Sequence, residues 1–183
     1  MGTDKALIEV DGVTLSRRAI DMLRSAGARE VVTVGGSDRG AGVEHVDDRY
    51  PGEGPLGGLI TALAAFGDPA AVDTVVVVIA CDLPLLASGT VSLLLAALGD
   101  NDAAIARTDR LEPLCAVWRP ERVLPQLEHS FASGERAIRR SLTGLRTVEV
   151  SVGEAELVNL NTPDELEVLR RERSGGAGGR PAN

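Results

Sequence analysis

The sequence predicts an α/β fold in which helices cover both faces of a mainly parallel sheet with an antiparallel edge. Strand-like and helix-like segments alternate through most of the chain, which is typical of a three-layer α/β/α sandwich. The run Val75–Cys81 is apolar throughout, as in a strand whose sheet is covered on both faces, so we expect it to be central and parallel. Two further strands, at 103–106 and 114–118, flank a polar turn and predict an antiparallel hairpin at the sheet edge.

The length of 183 residues is typical of one domain with a substantial core. We predict that the folded domain spans residues 1–172 and that residues 173–183, which are rich in glycine, form a disordered tail. Because only 2% of the residues are aromatic, the core has to be built mainly from aliphatic side chains.

Charge and composition argue against several classes of partner. A net charge of −8 is unsuited to nucleic acids and to anionic membranes, which select basic surfaces. Cys81 and Cys115 have no CxxC spacing, and we interpret both as reduced thiols in the core. No signal peptide precedes the first charged residues, and no apolar run approaches the ~20 residues that span a bilayer. We therefore expect a soluble, cytoplasmic protein.

The predicted central strand ends at Asp82, and Pro84 prevents its hydrogen-bond ladder from continuing. This places a carboxylate at the carboxyl end of a buried strand, where ligands bind in open α/β sheets. A divalent metal that carries a phosphate would satisfy the charge of such a carboxylate. A structural role, in which Asp82 caps the next helix or turn, explains the same segment.

Residues 49–58 contain four glycines and two prolines, between a short predicted strand at Val43–Val46 and a helical apolar run at Leu59–Phe66. Glycine lets the backbone approach a ligand closely, and the helix N-terminus behind the loop favours an anion. An ordinary surface connection is the alternative interpretation.

Six short motifs occur in order along the chain and cover most of it to about residue 170. They are Met1-Gly2-x-Asp4-Lys5-Ala6-Leu7, Gly54-Pro55-Leu56-Gly57-Gly58, Ala80-Cys81-Asp82-Leu83-Pro84, Glu112-Pro113-Leu114, Gly134-Glu135-Arg136-x-Ile138-Arg139 and Asn159-Leu160-Asn161-Thr162-Pro163. Taken together, they resemble the motifs of the molybdenum cofactor guanylyltransferases and of the wider MobA-like nucleotidyltransferase family. The resemblance implies the Rossmann-like nucleotidyltransferase form of the α/β/α fold.

The activity that this resemblance implies is a magnesium-dependent transfer of GMP from GTP to the terminal phosphate of molybdopterin, with release of pyrophosphate. Lys5 matches the signature lysine of the family, which contacts nucleotide phosphate, and Asp82 matches the metal-binding aspartate; these two are the predicted catalytic residues. Asp48 matches the aspartate near the guanine nucleotide, and its spacing to Pro55 favours it over Asp47. The predicted nucleotide-binding residues are Lys5, Asp48, Gly54, Pro55, Leu56, Gly57 and Asp82.

Asn159 and Asn161 match the asparagines near the end of the family fold, which implies that they lie on the pterin (substrate) side or support the structure of the cleft. Phosphoryl chemistry requires positioning and charge neutralisation more than a covalent nucleophile, which suits a lysine, an aspartate with a metal, and backbone donors. His45 and His129 stand in no ligand-spaced cluster, so we do not expect catalysis by histidine.

The sequence departs from the family pattern in two places. Gly35 and Gly36 stand where relatives often carry a nucleotide-contacting asparagine. The first strand and the glycine-rich loop that precede the Met-Gly-x-Asp-Lys motif in the family are not in this sequence, so we expect an exposed groove beside the Val75–Cys81 strand. Either the natural protein starts further upstream, or the chain is a non-catalytic relative.

Two further functions stay open from the sequence. One is another sugar- or cofactor-nucleotidyltransferase of the same fold, such as a molybdopterin cytidylyltransferase. The other is a cofactor-binding scaffold that has lost catalysis. Beyond GTP and molybdopterin, the predicted partners are molybdoenzymes or cofactor chaperones.

Overall fold

The structure is a computed structural model that describes residues 5–37, 42–67, 73–159 and 165. The strands in the described part are β1 (Glu9–Val10), β2 (Val13–Thr14), β3 (Val32–Val34), β4 (Glu44–Val46), β5 (Val76–Ile79), β6 (Ala103–Arg107), β7 (Leu111–Trp118) and β8 (Thr147–Ser151). The α-helices are α1 (Leu15–Ser25), α2 (Pro55–Ala64), α3 (Ser88–Leu98), α4 (Pro120–Ala132) and α5 (Ile138–Ser141), and 3₁₀ turns occur at Lys5–Leu7 and Glu154–Leu157. The predicted tail, 173–183, lies outside the described residues.

Four strands form one sheet in the order β5-β7-β6-β8. Strand β7 is antiparallel to both of its neighbours, whereas β6 and β8 are parallel, so β5, β6 and β8 run in one direction and β7 alone opposes them. The shared direction of three of these four strands agrees with the sequence prediction of a mainly parallel sheet. The opposing strand lies inside the sheet rather than at its edge, so two of the three pairings are antiparallel. The predicted β6–β7 hairpin forms, and β7 uses its second edge to pair with β5.

Strand β5 is therefore not central among the described strands, contrary to the sequence prediction. Its faces are covered, since Val76 packs with α2 and α4 and Val77 packs with α3. Among the strands that the structure describes, however, its ladder hydrogen bonds run to β7 alone, and this pairing is antiparallel. An apolar run reports that both faces of a strand are covered, and it carries no information about the strand's edges.

The edge of β5 that does not face β7 borders a groove, and β3 lines the same groove. Strand β3 pairs in parallel with β4 to form a separate two-stranded sheet. The described strands are thus divided into two main sheets that exchange no ladder hydrogen bonds. The exposed groove beside β5 agrees with the sequence expectation.

Two apolar layers cover the four-stranded sheet, one on each face. Ala103 and Ile105 of β6 pack toward α2, α4 and α5, together with Trp118, which is fully buried. Ala104 and Ala106 of β6 pack toward α3 on the other face. This alternation follows the two-residue repeat of a strand and confirms the three-layer arrangement.

Capping groups define the ends of two helices. Helix α1 is capped by Thr14, because the Thr14 hydroxyl accepts the backbone N–H of Arg17 at 3.2 Å. Helix α4 ends with Ser133 at its C-cap. Within the described ranges, none of the helices is long and apolar enough to cross a membrane.

Candidate nucleotide site

A cavity of about 800 Å³ occupies the groove between β3 and β5. Its long wall is apolar and is formed by Val32–Val34 of β3, Val76–Ile79 of β5 and the inner face of α1. The volume is within the range of small-molecule sites, which extends to about 1,000 Å³. The cavity is therefore large enough to take a nucleotide.

Polar and glycine residues contribute the rest of the cavity wall. Gly35 follows β3, Asp48 follows β4 and Asp82 follows β5, and all three line the cavity. Lys5 of the first 3₁₀ turn lines it too, as do Gly54, Pro55 and Gly58 at the start of α2. Five of the predicted nucleotide residues are thus brought to one cavity: Lys5, Asp48, Gly54, Pro55 and Asp82.

Asp48 is held in place by groups from two directions. Its Oδ1 accepts the backbone N–H of Tyr50 at 3.0 Å and the hydroxyl of Thr61 at 3.0 Å. Thr61 is fully buried in α2, and its hydroxyl oxygen also accepts the backbone N–H of Arg49 at 3.2 Å. A carboxylate fixed at one oxygen keeps a defined orientation at the cavity wall. Gly35 lies close by, since a Cβ built there would be 3.6 Å from Cβ of Asp48.

The glycine-rich loop enters α2 at Gly54, which has φ of +89° and ψ of 177° and therefore requires glycine. Pro55 then occupies the first helical position, where its fixed φ suits the helix and its missing N–H costs nothing. The positive end of the α2 dipole is consequently placed at the cavity, where it favours a phosphate.

Leu56 and Gly57 lie beneath this wall rather than on it. The Leu56 side chain is fully buried in the core. A Cβ at Gly57 would lie 2.7 Å from Cβ of Tyr50, so Gly57 is the close-packing position of this loop. Any contact of these two residues with nucleotide would have to come from their backbone, and their predicted role stays a prediction.

Asp82 lies in a turn after β5 and does not cap the next helix, since α3 begins six residues later with Ala87 at its N-cap. The cap of α3 is supplied by Glu156, whose Oε2 accepts the backbone N–H of Ala87 at 3.2 Å and the hydroxyl of Thr90. The helix-cap alternative for Asp82 is thereby ruled out. Its carboxylate is half-buried on the cavity wall.

The donor set at Asp82 suits a magnesium ion. No group of three or more His, Cys, Asp or Glu side chains able to hold a metal occurs in the described ranges, so this site does not form an all-protein cage. Mg²⁺ is usually held by one or two carboxylates, with phosphate oxygens and waters completing its octahedron. One carboxylate on the wall of an open cavity matches that pattern.

Lys5 is the only lysine in the sequence. It is the first residue of the Lys5–Leu7 turn, and it is exposed. Asn159 is also exposed, follows the Glu154–Leu157 turn and does not line the cavity. Asn161 lies outside the described residues. The structure thus brings Lys5 to the cavity but not Asn159.

Two residues of the site received no role from the sequence. Thr61 anchors Asp48, and the available signal was a lone hydroxyl in an otherwise apolar helix. Arg136, within the Gly134–Arg139 motif, contacts the glycine-rich loop: its carbonyl oxygen accepts the backbone N–H of Leu56 at 3.3 Å. That contact joins residues far apart in sequence, and no local sequence pattern predicts it.

Comparison with known proteins supplies the family. A family model described as the MobA-like NTP transferase domain matches residues 1–150. The chain belongs to the MobA-like NTP transferase family. Among curated relatives, a molybdenum cofactor guanylyltransferase of Xanthomonas euvesicatoria is 33% identical over 94% of this chain and 88% of its own length. A probable molybdenum cofactor guanylyltransferase of Opitutus terrae is 32% identical over 95% of this chain and 90% of its own.

Solved structures agree with this assignment. The molybdopterin-guanine dinucleotide biosynthesis protein A of Archaeoglobus fulgidus has a TM-score of 0.72 and 25% identity, covering 95% of this chain and 92% of its own. The 2-C-methyl-D-erythritol 4-phosphate cytidylyltransferase of Thermus thermophilus has a TM-score of 0.68 at 18% identity, over 95% and 100% of the two chains, and shows the fold alone. This MobA-like protein is thus an α/β nucleotidyltransferase of Rossmann-like fold, and its family typically uses a divalent metal.

Proposed function

We propose that this protein transfers GMP from GTP to the terminal phosphate of molybdopterin and releases pyrophosphate, with Mg²⁺ as its metal. The observation that carries the proposal is the single cavity lined by Lys5, Asp48, Asp82 and the N-terminus of α2. The printed names of the relatives that cover most of the chain support guanylate as the transferred group.

In the proposed reaction, an oxygen of the molybdopterin phosphate attacks the α-phosphorus of GTP. The bond between that phosphorus and the bridging oxygen to the β-phosphate breaks, and pyrophosphate leaves with the electron pair. Lys5 neutralises phosphate charge, the N-terminus of α2 donates backbone N–H groups to the nucleotide, and Asp48 orients the loop that binds it. Asp82 would hold the magnesium ion, which when bound supplies positive charge to the phosphates.

The test is pyrophosphate release from molybdopterin and either GTP or CTP, with and without Mg²⁺. We expect release with GTP and Mg²⁺, and its loss in Asp82→Ala. The matched control is Asp100→Ala, because Asp100 is exposed beyond the end of α3 and does not line the cavity. Unchanged turnover in Asp82→Ala would refute the metal assignment, and a preference for CTP would make the protein a cytidylyltransferase.

Because Lys5 is the only lysine, an amine-acetylating reagent provides a direct probe of its role. We expect GTP with Mg²⁺ to protect Lys5 from acetylation, as read by peptide mass spectrometry, while the N-terminal amine serves as the internal reference. Equal modification with and without nucleotide at saturation would remove Lys5 from the phosphate site.

The groove is the basis for a further part of the proposal, which is that one additional strand completes the sheet between β3 and β5. Each of these strands has its ladder hydrogen bonds on one edge only among the described residues, and the groove between them is apolar. We expect a version of the protein extended upstream to the next in-frame start to bind GTP with Mg²⁺ more tightly than the 183-residue chain. Equal affinity would count against the added strand, and no binding by either would favour the scaffold alternative.

The proposed setting is the cytoplasm, where GTP is available. Molybdoenzymes or cofactor chaperones, as recipients of the product, stay predicted partners. A pull-down with the purified product-loaded protein and a candidate molybdoenzyme would test that interaction.

A further inference from the structure

Arg136 lies directly against the glycine-rich loop without lining the cavity itself. It belongs to the segment between α4 and α5. A Cβ built at Gly54 would be 3.4 Å from Cβ of Arg136 and 3.6 Å from its carbonyl oxygen. The loop backbone therefore passes over Arg136 at van der Waals distance, at the residue where the chain turns into α2.

The backbone of Arg136 also fixes the first turn of α2. Its carbonyl oxygen accepts the N–H of Leu56 at 3.3 Å. This N–H is one of the helix-start donors that have no partner within their own helix. The bond thus ties the start of α2 to a segment eighty residues away in the chain.

The guanidinium of Arg136 joins Glu53, the loop residue before Gly54, to the last turn of α4. Its Nε donates to Oε2 of Glu53 at 2.8 Å, and a terminal nitrogen donates to the carbonyl oxygens of Phe131 and Glu135, each at 2.9 Å. Its Cζ also lies 4.0 Å from the centre of the Phe131 ring. A lysine ammonium cannot reproduce a planar fork that bridges three acceptors and stacks on a ring.

Because Gly54 and Pro55 line the cavity, whatever fixes their position also fixes part of the nucleotide site. We propose that Arg136 is a positioning residue that holds the Gly54–Pro55 turn in its nucleotide-binding geometry and so sets the affinity for the nucleoside triphosphate. This inference rests on the proposed function. Arg136 acts through the loop and makes no contact with the reacting atoms.

The expected effect is on binding more than on chemistry. In Arg136→Ala, the loop is no longer held in place before nucleotide binds, so binding also has to order it. We therefore expect KM and Kd for GTP with Mg²⁺ to rise about tenfold. We expect kcat to change by no more than about twofold, since Lys5 and Asp82 belong to other segments of the chain than residues 49–58. Arg136→Lys should recover only part of the affinity, and Glu53→Gln should give a smaller loss than Arg136→Ala.

The experiment compares these variants with the wild type and with Arg17→Ala, in which an exposed arginine of α1 loses its ion pair with Asp21. Steady-state kinetics and calorimetric GTP titration are measured well below each variant's melting temperature. A lowered melting temperature with unchanged KM and Kd would make Arg136 a purely structural residue and overturn the proposal.

Hydrogen exchange separates failure of this inference from failure of the proposed function. If the wild-type chain neither binds nor turns over GTP, the proposed function fails, and exchange in peptides covering residues 51–58 still tests the loop. Faster exchange there in Arg136→Ala, with β6 unchanged, supports the positioning role, and unchanged exchange in those peptides overturns it.

Discussion

Gly57 and Gly58 are adjacent in the first turn of α2, and the structure predicts opposite effects when each is replaced by alanine. A Cβ at Gly57 would meet Cβ of Tyr50 at 2.7 Å, about 1 Å inside a normal carbon–carbon contact. A Cβ at Gly58 would meet no atom within 4 Å. The pair therefore compares the same chemical change at a closed and at an open position of one helix.

The magnitudes follow from two opposing terms. Replacing a helical glycine by alanine stabilises the folded protein by about 0.5–1 kcal/mol, whereas overpacking the core destabilises it by about 1–3 kcal/mol. For Gly58→Ala only the first term applies, so we expect the free energy of unfolding to rise by up to about 1 kcal/mol. For Gly57→Ala the second term is the larger, because the contacted atom is a Cβ fixed to the backbone. We expect the free energy of unfolding to fall by about 1 kcal/mol.

Thermal denaturation followed by circular dichroism measures this difference. One kcal/mol corresponds to about 2–4 °C in a domain of this size, so Gly57→Ala should melt below the wild type and Gly58→Ala above it. Urea denaturation of the same proteins provides the control that the m-value is unchanged. A rise in melting temperature for Gly57→Ala equal to that for Gly58→Ala would show that Tyr50 does not constrain the loop as described.

Three further predictions concern other parts of the site. Thr61→Val should destabilise the protein by about 1–3 kcal/mol and weaken GTP binding, because a buried valine leaves Asp48 without its hydroxyl donor; urea denaturation and GTP titration check both effects. Iodoacetamide should modify Cys81, which lines the cavity, while Cys115 stays unmodified because burial, with help from two nearby carboxylates, raises its pKa to about 12; mass spectrometry distinguishes the two peptides. The pKa of Glu135 is lowered to about 2, first by the hydrogen bond from the Ala137 N–H and then by Arg140. The contribution of this carboxylate to stability is therefore present above pH 4.5 and is lost as the pH falls toward 2. In Glu135→Gln, urea denaturation at a series of pH values should show a smaller loss of stability over that range.

The sequence predicts the fold class and the residues that end strands, because those features have local signals. Asp82 follows an apolar run and comes shortly before a proline, so it could be assigned to the ligand edge of the sheet, and Asp48 could be assigned from its match to the family motif. The structure places both at the same cavity. Residues whose position is indicated by their neighbours in the sequence or by a short motif were therefore the easiest to predict.

Contacts between distant segments were not accessible in the same way. The β6–β7 hairpin has a local turn signal, but nothing in the sequence says that the other edge of β7 pairs with β5. The glycine-rich motif likewise identifies a loop without saying that Leu56 faces the core while Gly54 faces the cavity. These distinctions depend on which surface each element packs against, and packing is set by the whole fold.

The cap that Glu156 provides for α3 has a consequence for biosynthesis. The hydrogen bond to Thr90 joins residues that are 66 positions apart. At ribosomal rates of about 5–20 residues per second, Thr90 is synthesised roughly 3–13 s before its partner. During that interval the first turn of α3, next to the Asp82 turn, lacks its acceptor. A nascent chain that stops short of residue 156 therefore carries an incompletely capped helix beside Asp82, and the site can reach its final form only when translation has passed the Glu154–Leu157 turn.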